Sequence, residues 1–302
     1  TCAERYLAFK NTQGSQITFE DIAAEEKRLG LDKPFLYRYT KWVSDIVIKQ
    51  DFGDSCILRI SINELLSGRF VLSLTIAITA LLFSYAIAIP VGIISATTKY
   101  ASLDNALKFV SYLGIALPNF LVALCIMLFM TVYYGDTMTG LFSQEYENAP
   151  WSSAKVQDFL SRAWLPIFVL GWNATAFALQ TVRALMLDEN DKLYVMAARA
   201  RGVSGMSLLW RYPAKHSLGP VINSIGFDLN RIFSALPVVA LILILTEAGA
   251  LLIEALARSN DQQLAGAIIF LLTATIVFVN FVTDIILAIM DPRIRRGVMG
   301  GS

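Results

Sequence analysis

Long runs without a single Asp, Glu, Lys or Arg alternate along this chain with shorter polar stretches that carry its charge. Residues 70–98, 109–135, 163–182 and 262–283 are such runs. Crossing the hydrocarbon core of a bilayer takes about 20 predominantly apolar residues, and each run has roughly that length. A fifth run, 232–246, is short for a span. It reaches spanning length only by extending back through SLGPVINSIGFDLNR, which puts Asp228 and Arg231 at membrane depth. Pro90, Pro118, Pro166, Pro220 and Pro237 fall inside these stretches. Proline removes a backbone donor and would damage a soluble helix, but membrane helices tolerate it where neighbouring helices re-satisfy the freed carbonyls. The pattern therefore predicts five helices rather than buried strands. It describes an all-α, polytopic membrane helical bundle over residues 70–292, between an N-terminal segment, 1–69, and a tail, 293–302.

Composition agrees with the pattern. The 302 residues are 56% hydrophobic and 16% charged, with a mean hydropathy of +0.57. Soluble domains are about 45–50% apolar and about 25% charged. A net charge of +1 gives no reason to expect a nucleic-acid partner. The position of each basic residue is more informative, because Lys and Arg concentrate in the short cytoplasmic loops of membrane proteins. Loop 187–216 carries Lys192, Arg199, Arg201, Arg211 and Lys215; the tail carries Arg293, Arg295 and Arg296; Lys99 and Lys108 flank the turn after the first run. Loops 136–162 and 247–261 are acidic or balanced. The distribution places loop 187–216 and the C-terminus in the cytoplasm and segment 1–69 outside. A polar segment that must be exported, and that begins at Thr1 without an apolar leader, leads us to expect a signal or membrane helix upstream.

Within segment 1–69, TFEDIAAEEKRLG reads as a helix with Thr18 as N-cap and Gly30 at its stop. The following LDKPFLYRYTKWVSDIVIKQDFGDS mixes aromatic and basic residues in a way suited to lipid headgroups, or to one face of a soluble amphipathic helix. Cys2 and Cys56 are placed to pair outside the cell if the fold brings them together, and Cys125 lies in a span as a small apolar filler.

Loop 187–216 reads as two short helices joined at a glycine. KLYVMAARARG, with Tyr194 near its start, is rich in the good helix former alanine at Ala197, Ala198 and Ala200, and Gly202 can adopt the positive φ that ends such a helix. Ser204 is placed to cap the next. Small residues permit close backbone approach, while Arg199, Arg201 and Arg211 offer planar donors to carboxylates. Partner docking and a solvated basic loop near anionic lipid both fit these residues.

No catalytic constellation is present. The single histidine, His216, excludes His-based metal clusters, and neither GxSxG nor GxxxxGK[ST] occurs. No metal site, cofactor or catalytic residue is expected in this chain, and any nucleotide must bind to another. Asp228 and Arg231, three apart on one helix face, are close enough to pair, and ionisable groups at membrane depth are candidates for the translocation path.

The segment YVMAARARGVSGMSLLWRYPAKHSLGPVINSIG resembles the Glu-Ala-Ala loop of ABC importer permeases, most of all their dipeptide and oligopeptide branch. LGLDKPFLYRYTKWV, DFGDS, YLGIALPNF and DPRIRRG are similar to segments of that branch in the same order. The chain departs from the pattern at Met196, where the family has its glutamate, at Pro213 inside the second loop helix, at LTEAGA in place of a Trp-Pro-Gly-Leu-Gly turn, and at Asn230 and Arg231, where glycines are usual. The resemblance implies a type I importer permease with a further N-terminal helix. It also implies a homologous permease partner, two ATPase subunits that bind ATP and Mg, and an extracytoplasmic solute-binding protein. Peptides are the implied cargo, with nickel chelates, opines and oligosaccharides as alternatives within the group. An ion-gradient transporter or channel is the competing reading, although no internal repeat supports it; an intramembrane hydrolase is a third.

Overall fold

A computed structural model describes residues 18–290 apart from 29, 99 and 136, together with residues 3, 4 and 7. Cys2, Lys99 and the tail with Arg293, Arg295 and Arg296 lie outside the described residues. The described residues are mostly helical, and an isolated bridge between Asp54 and Ser61 is the only β pairing among them. In chain order the helices are α1 (Phe19–Arg28), α2 (Phe35–Lys49), α3 (Ile62–Leu66), α4 (Arg69–Thr97), α5 (Ala101–Ala116), α6 (Asn119–Tyr134) and α7 (Ser153–Asn190). There follow α8 (Leu193–Ala200), α9 (Gly205–Arg211), α10 (Pro213–Asn223), α11 (Ile225–Leu243), α12 (Ala248–Ile253), a π-helical turn (Glu254–Arg258) and α13 (Gln262–Met290).

Four of the helices are long and apolar enough to cross a membrane unbroken, ending at Thr97, Asn190, Leu243 and Ile289. The remaining expected span, 109–135, is instead part of a bent pair, α5 and α6, whose axes meet at 101°. Pro118 is the cause. It lacks the N–H that α5 would need to continue, and its ring drives Leu117 to an extended backbone with φ −85° and ψ 120°, so α6 starts afresh at Asn119. The span through 217–246 is also interrupted. Ser224 lies between α10 and α11, so α11 alone supplies the 19 membrane residues. The run 163–182 is the middle of a 38-residue helix, α7, whose charged ends continue the turns beyond the apolar stretch.

The chain forms two compact units. One comprises residues 1–73 and 246–273. Its core is Ile62, Leu66, Ala248, Leu252, Ala255, Leu264, Ala265, Ala267 and Ile268, and Trp42 of α2 packs edge-on against Phe270. Thr18 immediately precedes α1, and its hydroxyl and backbone N–H both donate to Asp21 Oδ2 in the first turn, at 2.8 and 3.0 Å. Cys56 is buried and disulfide-bonded, whereas Cys125 is free and exposed. Two buried acids start helices here. Asp261 accepts from Ser55 Oγ at 2.5 Å and from the Leu264 N–H at 3.0 Å. Glu247 caps α12, accepting from the Gly249 and Ala250 N–H groups and from the Ser73 hydroxyl.

The other unit comprises residues 74–245 and 274–302. The helix α7 is its centre, packed by α5, α6, α10 and α11. Small residues let helices meet closely where lipid supplies no hydrophobic drive for association. A Cβ on Gly92 of α4 would lie 2.8 Å from Val182 Cβ and 3.0 Å from the Leu179 carbonyl of α7. Ala88 packs with Ala178 beside that contact.

Glu247 lies outside the membrane-spanning helices, and burial pushes its carboxyl pKa above the ordinary value against the opposing bonds from Ser73, Gly249 and Ala250. The folded state then holds this proton more tightly than the unfolded chain. Its contribution to stability falls as pH rises past the ordinary glutamate pKa of about 4.3 and levels off above the folded value. Thermal unfolding in detergent across about pH 4 to 8 should show this slope in the unaltered protein and its loss in Glu247→Gln. Glu247→Ala, which strips three donors of their acceptor, should be destabilised by about 1–3 kcal/mol.

Candidate coupling loop and intramembrane polar cleft

The loop after α7 folds on a core of its own. Val195 and Ala198 of α8 pack with Leu208 of α9, flanked by Tyr194, Val203 and Tyr212. Gly202 ends α8 with φ +87°, donating its N–H to the Arg199 carbonyl while Val203 donates to that of Ala198. The space around Gly202 is open, so its φ is what calls for glycine. Ser204 occupies the N-cap position of α9 without a side-chain cap bond. Pro213 ends α9 by starting α10, where a missing N–H costs nothing. The Tyr194 hydroxyl donates to Glu189, which also takes Lys192, and its ring meets His216 edge-on at 5.1 Å. Burial first, and then the Glu189 bond, raise the Tyr194 phenol pKa, so it stays a donor.

The candidate docking residues are divided by this packing. Ala197, Ala200, Arg201, Ser204 and Arg211 face solvent, as do Leu193, Met196, Met206 and Trp210. Arg199 is exposed and tied to Asn190 Oδ1 at 2.7 Å, and Arg201 Nε donates to the Ala197 carbonyl. Ala198, one of the small residues read as permitting close approach, is fully buried in the loop core. A cleft of about 460 Å³ lies beside the loop, with Asn190, Arg199, Gly202 and Ser204 on its wall.

At membrane depth Asp228 and Arg231 pair as their spacing implies, Arg231 Nη1 donating to Asp228 Oδ1 at 3.0 Å. Asp228 is 4% exposed and also accepts from the Tyr85 hydroxyl at 2.6 Å. Ser224 Oγ lies 3.0 Å from that hydroxyl and 3.5 Å from the carboxylate, so the residue that interrupts the helix joins the network. The Arg231 guanidinium carbon lies 3.9 Å from the centre of the Phe177 ring. Its side chain is 45% exposed and borders a cleft of about 330 Å³ with Asn119, Phe120, Asn173 and Ser234.

A second polar cluster escapes inspection of the sequence. Arg183 of α7 holds Asp104 of α5 through Nε and Nη2, each at 3.0 Å, while Ser95 of α4 donates to the same carboxylate at 2.6 Å and Lys108 pairs with it at 2.6 Å. The available signal is that Arg183 and Lys108 each border an uncharged run and that Asp104 lies in the turn between the first two runs.

Helices apolar enough to cross a membrane, a polar cleft among them and a two-helix loop with its own core suit a transport permease. Residues 88–296 match the binding-protein-dependent transport system inner membrane component family, and the chain belongs to it. It is 29% identical over 270 residues to the oligopeptide transport system permease protein AppB of Bacillus subtilis (strain 168), covering 89% of this chain and 83% of that one. It is 30% identical over 281 residues to the inner membrane ABC transporter permease protein YejB of Escherichia coli O157:H7, covering 91% and 76%. Its fold is similar to a chain of the inward-facing MetNI methionine ABC transporter, with a TM-score of 0.60 and 16% identity over 76% of this chain and 97% of that one. The chain is thus a membrane-spanning permease subunit of a type I importer fold, and family membership implies a binding protein and an ATPase as partners.

Enlarging the two kinds of alanine should separate packing from docking. Ala198→Leu overfills the loop core, a change that costs about 1–3 kcal/mol, and should speed proteolysis between α8 and α9. Ala200→Leu, on the exposed face, should leave the cleavage rate unchanged.

Proposed function

We propose that this chain forms half of the translocation path of an ATP-driven importer for peptide-like solutes, with loop 187–216 as the lever through which ATPase subunits act. A homologous permease supplies the other half, two ATPase domains bind ATP and Mg, and an extracytoplasmic binding protein delivers the solute. The segment 1–69 faces that binding protein, and the loop and C-terminus face the cytoplasm, as the basic residues suggest. One observation carries the reading: inside the family-matched segment, α8 and α9 form a unit with its own core that offers exposed Met, Trp, Ala and Arg side chains. A unit built this way transmits a push as a body, and an exposed apolar and Arg-rich face is the composition of protein interfaces. The names of the relatives support peptides as cargo. Charge alone does not account for the loop, because a solvated basic loop near lipid requires neither a packed core nor a left-handed glycine.

In operation, ATP-driven closure of the ATPases moves α8 and α9, the movement passes into α7 and α10, and the path opens outward; hydrolysis returns it inward. Rigid-body transitions of this kind use interfaces with two discrete arrangements, and small-residue helix contacts are suited to sliding between them.

Reconstitution into proteoliposomes with the partner permease, ATPases and binding protein tests the reading. Peptide uptake should require ATP inside the functional compartment of the ATPases and cease when they are omitted. Uptake that continues without ATPases, driven by an ion gradient, contradicts it. Gly202→Val forces a β-branched residue to a positive φ, a strain of about 1–3 kcal/mol. The variant should insert and assemble normally and hydrolyse ATP, while uptake per ATP falls several-fold. Wild-type coupling in this variant contradicts the lever.

A further inference from the structure

The importer reading leaves the chemistry of the passing solute open, and the cleft beside Arg231 bears on it. We propose that this cleft is a contact site for the carboxylate of the transported solute and that Arg231 is the residue that meets it. The inference rests on the reading of the chain as an importer permease.

The guanidinium is held from two sides, by Asp228 Oδ1 at 3.0 Å on Nη1 and by the Phe177 ring at 3.9 Å from its carbon. A guanidinium offers five N–H donors in a planar fork suited to carboxylates, and Asp228 engages one of its nitrogens. Among the described residues no other acceptor takes the rest, and the side chain opens to the cleft. Preorganisation of this kind lowers the entropic cost of meeting an anion.

The cleft is also lined by Asn119, where Pro118 bends the chain into α6. Asn119 Oδ1 is a buried acceptor without a hydrogen-bond partner among the described residues. Buried polar atoms are ordinarily satisfied, and each exception asks for a reason. The Asn119 oxygen is covered by protein atoms, so Asn119 reaches a solute only if its side chain turns, and the contact proposed here is that of Arg231. At about 330 Å³, the cleft falls within the range of small-ligand sites.

The Asp228 contact also explains why such a site would release what it binds. Arg231 shares its charge with Asp228, so the pair is close to neutral and holds an anion more weakly than an unpaired arginine would. Transport requires a site attractive enough to enter and weak enough to leave. Were Arg231 only a counter-ion for Asp228, nothing would require its side chain to open to a cleft.

The test uses the complete importer in proteoliposomes, with trialanine and trialanine amide as probes. Asp228→Asn combined with Arg231→Gln removes the guanidinium without stranding a buried charge. The preference for trialanine over its amide should fall about tenfold in the double variant, the loss of one charged hydrogen bond, with amide uptake unchanged. The binding protein is the same in both importers, so its own preference cancels. An unchanged preference overturns the inference. If the double variant does not assemble, or if the unaltered importer moves neither peptide, which would refute the peptide reading by itself, a second measurement decides. Phenylglyoxal labelling of Arg231 in the unaltered complex, read by mass spectrometry, should slow several-fold with N-acetylalanine and not with N-acetylalanine amide. Equal labelling with the two, or an Arg231 that the reagent never reaches, overturns the inference.

Discussion

The carboxylate of Asp228, 4% exposed within apolar helices, is the group around which the membrane unit is arranged. A charge in such surroundings is tolerated only when neighbours supply nearly all that water would, and removing one partner of a buried pair costs about 3–5 kcal/mol. Here the partners come from three places: the Tyr85 hydroxyl on α4, Ser224 at the break between α10 and α11, and Arg231 one turn along α11. Satisfying one acid thus sets the rotation of α11, holds α4 against it, and leaves the far side of the arginine facing the cleft.

The bundle around this network has the construction expected of a moving part. Small residues, Gly92 and Ala88 on α4 and Gly171 and Ala178 on α7, let these two helices approach closely. Such contacts give little resistance to small shifts. The polar clusters then act as fixed points: Asp104 with Arg183, Ser95 and Lys108 at one level, Asp228 with its partners at another. The loop after α7 is different in kind, because Val195, Ala198 and Leu208 give it a core of its own. A core of this kind is what the proposed lever needs, so that displacement at its exposed face passes into the long helix rather than being absorbed between the two short ones.

Much of this was legible in the sequence, since spans follow from uncharged length and the loop from its alanines and glycine. Asp228 and Arg231 could be paired because three residues separate them on one helix. Where reading along the chain failed, the deciding partner was distant or the backbone was overruled locally. The run 109–135 looked like one span because hydropathy does not register the direction of the chain, and a single proline turned it through 101°. Arg183 and Asp104 are 79 residues apart, so no local pattern joins them. Ala197 and Ala198 are indistinguishable in composition, yet their positions on α8 put one in solvent and the other in the core. The unpaired Asn119 oxygen is likewise a property of packing.

The central claim is that loop 187–216 is the surface on which ATPase subunits act, and a cross-link tests it most directly. Ala200 is exposed on α8, so Ala200→Cys in a Cys125→Ser background introduces an accessible thiol where docking is proposed. In the assembled importer, a short thiol-reactive cross-linker should join this residue to an ATPase subunit, with a yield that changes when ATP is added. An intact, transporting complex in which Ala200→Cys reacts with solvent reagents but never with an ATPase subunit would contradict the account.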